Sequence, residues 1–209
     1  MPLDPHLLAA FTATTIVATL APGPDMLFVL SSGMRGGPRA GLLATAGIAT
    51  SEVIHVLVAA AGLSALFTAV PAAFTALRVA GAVYLAYLGV QMIRQRGDLV
   101  AVAGDEATIS GRRAYLTGFL TNLSNPKMIA FSLAFLPQFV DPALGSLWVQ
   151  FTALGAILIV LEFLIDGGVG VLAGRIGHWL RHSRRLRRRI DTATGGILIA
   201  LGLRLAVQQ

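Results

Sequence analysis

Six ionisable side chains stand in stretches that carry no other charge: Asp25, Glu52, His55, Lys127, Glu162 and Asp166. Glu52 and His55 are three residues apart and Glu162 and Asp166 four apart, so each pair shares one face of a helix. A carboxylate beside an imidazole passes protons, which makes Asp25, Glu52, His55, Glu162 and Asp166 the candidate proton carriers. The plainer alternative is that these groups only hold helices together.

Asp25 and Lys127 each follow a helix breaker, "PGPD" at 22–25 and "NPK" at 125–127. Pro24 and Pro126 cannot donate to the carbonyls four residues earlier, those of Leu20 and Asn122, so acceptors are freed there. After each proline a half-helix begins whose unpaired N–H groups and dipole favour an anion. Pro22, Gly23, Pro24, Asp25, Asn122, Asn125, Pro126 and Lys127 thus form a candidate binding set, with acceptors for an ammonium and donors for a carboxylate. A zwitterion needs that combination. A buried salt bridge between Asp25 and Lys127, joining two parts of the chain, is the competing reading and is compatible with it.

The elements that position these groups follow from composition. Of 209 residues, 56% are hydrophobic and 12% charged, against roughly 25% charged in a soluble domain. Too few polar side chains remain to cover a globule in water, and a run of about 20 apolar residues spans a bilayer. Six runs qualify, at 6–31, 41–69, 71–93, 114–140, 146–173 and 190–207. Pro71 suits the start of the third. An ionisable group at the centre of such a run costs about 2.5–3.5 kcal/mol to insert. The six must therefore face one another or a wet cavity.

The links between runs alternate in charge. Arg35 and Arg39 follow the first run; Arg94, Arg96, Arg112 and Arg113 the third; Arg175, Arg181, Arg184, Arg185, Arg187, Arg188 and Arg189 the fifth. No Lys or Arg stands in the links after the second and fourth. Positive links stay in the cytoplasm, so both termini are expected outside it. Arg78 and Arg204, within runs, read as anchors reaching an interface. The net charge of +6 is thereby assigned to membrane orientation, and no nucleic-acid partner is expected. The start, "MPLDPHLLAA", lacks the basic region of a signal peptide, so the first run is kept as a mature helix. The chain has no cysteine, which excludes disulfide, thiolate-metal and thiol redox chemistry.

The polar segment 94–113 divides the runs three and three, giving a single membrane domain with repeat one at 1–93, a cytoplasmic linker and repeat two at 114–209. At an offset of 102, Pro24-Asp25-Met26-Leu27 meets Pro126-Lys127-Met128-Ile129. Three spans per half make the second half inverted relative to the first. Inverted repeats with interrupted helices in matching places point to a transporter site near the midplane. The expected fold is an all-α polytopic membrane protein, six transmembrane helices in two inverted three-helix repeats with the first and fourth helices broken. Gly170 and Gly174, and Gly195 with Gly196, read as close-packing positions.

The segments "PGPDMLFVLSSGMRGGPRAGLLATAGIATSEVIH" and "GFLTNLSNPKMIAFSLAFLPQF" resemble those of the bacterial lysine-exporter/homoserine-threonine resistance family of small inner-membrane proteins. The similarity runs over nearly the whole chain. It implies efflux of amino acids or close derivatives such as homoserine, threonine, lysine or leucine, driven by the proton gradient, and it admits homodimers. The family's first-span segment falls on Pro22, Gly23, Pro24 and Asp25, and its fourth-span element on Asn125, Pro126 and Lys127. The partners expected are then an amino-acid substrate and the bilayer, with no cofactor and no metal. Export of a metal cation or another small solute of the same superfamily is the alternative, disfavoured by few carboxylates and no histidine-rich loop. A membrane enzyme is not expected, because no nucleophile-base-acid set is visible.

Overall fold

The computed structural model describes residues 3–20, 23–69, 71–94 and 108–207. All regular elements among these are helical. Helix α1 (Pro5–Leu20) starts where Asp4 caps it, its Oδ1 accepting from His6 N at 2.6 Å and Leu7 N at 3.1 Å, with Pro5 at the first helical position. It ends at Leu20. The chain is helical again from α2 (Pro24–Ala69), whose first turn closes when Leu27 N donates to Gly23 O at 3.0 Å. The expected break of the first span therefore lies between Leu20 and Pro24.

Helix α2 bends at Gly37, where φ is 73°. Only glycine takes that conformation without strain, and Pro38, lacking an N–H, then opens the second limb. The first limb, 24–36, is about 20 Å long. Helix α3 is Pro71–Arg94. Helix α4 (Gly111–Leu123) is capped by Ser110, whose Oγ accepts from Arg113 N at 3.4 Å. A second break follows at Ser124 and Asn125 before α5 (Pro126–Ala130). This helix loosens into a π turn at Phe131–Phe135 and tightens into a 3₁₀ turn at Leu136–Phe139. A further 3₁₀ turn, Pro142–Leu144, is fixed by Gln150, whose side chain accepts from Asp141 N and donates to Asp141 O, both at 2.8 Å.

Helices α6 (Leu147–Val171), α7 (Ala173–His182) and α8 (Arg184–Val207) complete the order. The late arginine run is thus largely helical, whereas the sequence suggested a link up to residue 189. Arginine is a good helix former, so α8 begins before its apolar run does. By length and composition, Pro24–Gly62 and Leu147–Val171 can each cross a bilayer, and Pro5–Leu20 and Val79–Arg94 are shorter apolar helices. The side chains of Arg78 and Arg204, and residues 95–107 of the linker, lie outside what is described.

The polarity of the molecule is reversed relative to a water-soluble protein. Thr15, Ser51, Glu52, Asn122, Gln150 and Asp166 are buried, while Val58, Val83, Leu164 and Leu203 are exposed. Apolar side chains on the outside, together with ionisable and polar groups held inside, suit helices in lipid.

The most extensive contacts join α2 to α4, α2 to α6 and α3 to α8. Each is a close approach over glycine. A Cβ on Gly47 would run into the Tyr115 carbonyl, one on Gly41 would lie 2.6 Å from the Gly170 carbonyl, and one on Gly89 would meet the Gly195 carbonyl. Gly174 and Gly196, expected to pack closely, have open space around them. Apolar burial gathers around Phe11, Leu85, Phe135, Phe151, Leu154 and Leu198.

Gly47→Ala drives a methyl group into backbone, so it should cost about 1–3 kcal/mol of stability. Gly168→Ala, where nothing lies within 4 Å, should be neutral within about 0.5 kcal/mol. Unfolding of the detergent-solubilised protein would compare the two, and equal effects would contradict the tight α2–α4 contact.

Candidate functional site

The two breaks meet. Asp25, in the first turn of α2, is 1% exposed, and its Oδ2 lies 3.6 Å from the Nζ of Lys127, in the first turn of α5. Asn125 sets that turn, its Oδ1 accepting from Lys127 N at 3.0 Å. Gly23 lies against the ion pair: a Cβ there would strike Asp25 Oδ1 and come within 3.0 Å of Lys127 Nζ. A side chain at position 23 would force the pair to shift.

Helix α6 adds two carboxylates. Glu162 and Asp166, one turn apart, are 2% and 1% exposed, and one oxygen from each lies within 4.8 Å of the other and of Asp25. Among the described residues, Asp25 Oδ1, Glu162 Oε2 and both oxygens of Asp166 have no hydrogen-bond partner. Three carboxylates thus share a buried space with one ammonium. Their spacing also fits oxygen ligands of a hard cation, but Lys127 already brings positive charge to Asp25.

A second group surrounds Glu52, which is fully buried. Its Oε2 accepts from Asn122 Nδ2 at 3.1 Å and its Oε1 from Ser132 Oγ at 3.1 Å. Asn122 Nδ2 also donates to Ser51 Oγ at 2.8 Å and to Ile48 O at 3.3 Å. His55 Nδ1 lies 3.5 Å from Glu52 Oε2, and its Nε2 is 3.3 Å from the Leu123 carbonyl, which accepts when that nitrogen carries the proton. Glu52 therefore ties the second limb of α2 to both sides of the α4–α5 break.

Lys127 lies between two cavities. One, about 130 Å³, is lined by Gly23, Pro24, Asn125, Pro126 and Lys127 from the breaks and by Leu88, Gln91 and Met92 near the arginine-bearing end of α3. Both prolines are exposed at its edge. The other, about 10 Å³, lies among Thr19, Leu85, Lys127, Phe131, Glu162 and Leu198. That volume holds about one water. From it a column of rings runs Phe131, Phe135, Phe139 and Phe11, with centroid separations of 4.5, 4.9 and 5.2 Å.

Of the residues singled out in the sequence, Asp25, Lys127, Glu162 and Asp166 come together, Glu52, His55 and Asn122 form the adjoining group, and Asn125 connects the two. Pro22 lies outside the described residues. Gln91, Ser51 and Ser132 were missed. Ser51 and Ser132 are uncharged and common in helices, and Gln91 sits only three residues before Arg94, where a polar residue reads as a span end.

The family model described as LysE type translocator matches residues 16–209. An uncharacterised membrane protein of Vibrio cholerae is 32% identical, covering 98% of each chain. A homoserine/homoserine lactone efflux protein of Salmonella typhimurium is 32% identical, covering 94% of each. A leucine efflux protein of Salmonella choleraesuis is 27% identical, over 93% of this chain and 92% of its own. No solved structure matches the chain.

Removing one member of a buried ion pair strands the other charge at a cost of about 3–5 kcal/mol. Lys127→Met should therefore destabilise the protein by that order, and adding Asp25→Asn should recover part of the loss. Thermal unfolding of the single and double variants in detergent checks this; additive losses would show that the two side chains are not coupled.

Proposed function

The chain belongs to the LysE type translocator family, and from that premise we propose that it exports amino acids or close derivatives across the bacterial inner membrane in exchange for protons. The observation that carries this reading is the buried cluster of three carboxylates and one ammonium at two facing helix breaks, opening onto the larger cavity. Relatives named for efflux of homoserine, homoserine lactone and leucine support the substrate class.

The substrate's carboxylate takes Lys127 and the unpartnered Asn125 amide, and its ammonium takes the free oxygens of Asp25, Asp166 and Glu162. Ionised carboxylates within 4.8 Å of one another repel by about 3 kcal/mol or more per pair at an effective dielectric of 20. Each positive charge that enters relieves this, whether it is a proton or the substrate's ammonium. The two then compete for one cluster, so each lowers the other's affinity by the same factor, and exchange follows where the unloaded cluster does not reorient. Glu52 and His55 lie beside the cluster as a proton route along the α4–α5 break.

In this reading the six runs form two inverted repeats with both termini outside the cytoplasm. The pairing of α2 with α6 and of α3 with α8, which occupy equivalent places in the two halves, supports that arrangement. The larger cavity then faces the cytoplasm and the aromatic column closes the outer side. A second reading, export of a metal cation, draws on the spacing of the three carboxylates; Lys127 beside them weighs against it.

In proteoliposomes loaded with homoserine or leucine, Asp25→Asn and Lys127→Ala should each abolish efflux while the protein stays inserted, and collapsing the pH gradient should stop export by the unaltered protein. Normal transport by both variants would remove the assigned site, and undiminished export without the gradient would leave facilitated diffusion. Orientation has its own check. The chain has no cysteine, so Ser110→Cys should react with a membrane-impermeant maleimide only from the cytoplasmic side and Ser146→Cys only from the other. The reverse pattern would invert the topology.

A further inference from the structure

We propose that the cavity of about 130 Å³ beside the breaks is the side-chain pocket of the exported amino acid, and that it selects uncharged side chains of leucine's size or smaller and rejects lysine and arginine. This rests on the exporter reading, which fixes the zwitterionic end of the substrate at Lys127, Asn125 and the carboxylates. Lys127 and Asn125 line the cavity, so a substrate held by them directs its side chain into this space.

Size comes first. An apolar cavity of about 150 Å³ holds a benzene molecule, six heavy atoms. The cavity here is slightly smaller, enough for leucine's four side-chain carbons or homoserine's three heavy atoms, whereas an indole would extend past the exposed prolines at its edge.

Charge comes second. Among the described residues that line the cavity, Lys127 alone is charged. Asp25, Glu162 and Asp166 belong to the cluster and are not part of this wall. A lysine or arginine side chain would therefore place its cation between apolar walls of Leu27, Leu88, Met92 and Leu198, with a like charge as its ionic neighbour. A buried charge without a partner is rejected strongly. An acidic side chain would compete with the substrate's own carboxylate for one ammonium, leaving one anion unmatched.

Polarity comes third. Gln91 is half-buried and lines the same space three residues before the end of α3. Its amide offers both a donor and an acceptor, which suits a hydroxyl or a lactone carbonyl without demanding one. The pocket thus admits short aliphatic and short neutral polar side chains alike.

The test is exchange of labelled leucine from proteoliposomes against unlabelled leucine, homoserine, lysine, aspartate or tryptophan at equal concentration. Leucine and homoserine should drive exchange, and lysine, aspartate and tryptophan about tenfold less or weaker, the range that pocket contacts command. Met92→Glu should raise lysine relative to leucine by about tenfold. Gln91→Leu should lower homoserine relative to leucine several-fold. Leu88→Ala, which adds no charge to a buried wall, should admit phenylalanine if Met92→Glu fails to fold. Lysine exchanging as fast as leucine in the unaltered protein, or unchanged substrate ratios in the variants that fold, would overturn the pocket while leaving the exporter reading in place. Absence of exchange with every amino acid would overturn the exporter reading itself.

Discussion

A charge buried away from water has to find its partner inside the protein, and here the first such meeting is Asp25 with Lys127. Each comes from the start of a half-helix after a proline, so the ion pair exists only because two helices are interrupted and their breaks face each other. A Cβ at position 23 would displace the Asp25 carboxylate from this place beside Lys127. Asn125 must cap α5 for Lys127 to start its turn at that height. Glu52, bound by Asn122 on one side of the second break and Ser132 on the other, holds that break against α2. The pair is thus the meeting point of restraints from α2, α4, α5 and α6.

The rest of the fold serves to bring broken helices close without an apolar driving force between them. In lipid, helices associate by packing and polar contacts rather than by expelling water. The approaches of Gly47 to Tyr115, Gly41 to Gly170 and Gly89 to Gly195 let backbones come near enough for short polar side chains to reach across. Beyond Lys127 the chain leaves regular α geometry for a π turn and then a 3₁₀ turn. Phe131, Phe135 and Phe139 stack through that stretch and end on Phe11 of α1. Rings packed in this way seal one side of the cluster with apolar bulk, while its other side opens into a cavity edged by the two prolines.

How much of this the sequence carried depends on what each residue costs in lipid. Charges in uncharged runs stand out because their burial is expensive, so Asp25, Lys127, Glu162 and Asp166 could be picked out without a structure, and the proline breaks could be placed to within a few residues. Neutral polar side chains carry no such penalty signal. Gln91, Ser51 and Ser132 look like ordinary helix residues until packing shows which face they occupy. The bend at Gly37 was hidden because Gly36-Gly37-Pro38 lies among arginines and reads as a link between two spans, while the helix resumes at once after it. The start of α8 was misjudged for the opposite reason: a basic run was read as a loop, although arginine favours helix and the apolar part simply continues it.

On the proposed reading, the cluster relates three roles for Asp25 to one another. Holding the substrate's ammonium, accepting a proton and pairing with Lys127 look like rival assignments for one carboxylate. In the exporter proposal they become successive. Lys127 lies 3.6 Å from Asp25 Oδ2, while Oδ1 has no hydrogen-bond partner. A substrate carboxylate drawing on Lys127 weakens that pairing at the same moment as the substrate's ammonium arrives to replace it. A proton on any of the three carboxylates does the same work as the ammonium, and so opposes its binding. Because Asp166 offers two further unpartnered oxygens and Glu162 one, a positive charge can be passed among the three without leaving the buried space. On the exporter proposal, substrate and proton need not occupy separate sites to be coupled; it is enough that one cluster cannot satisfy both.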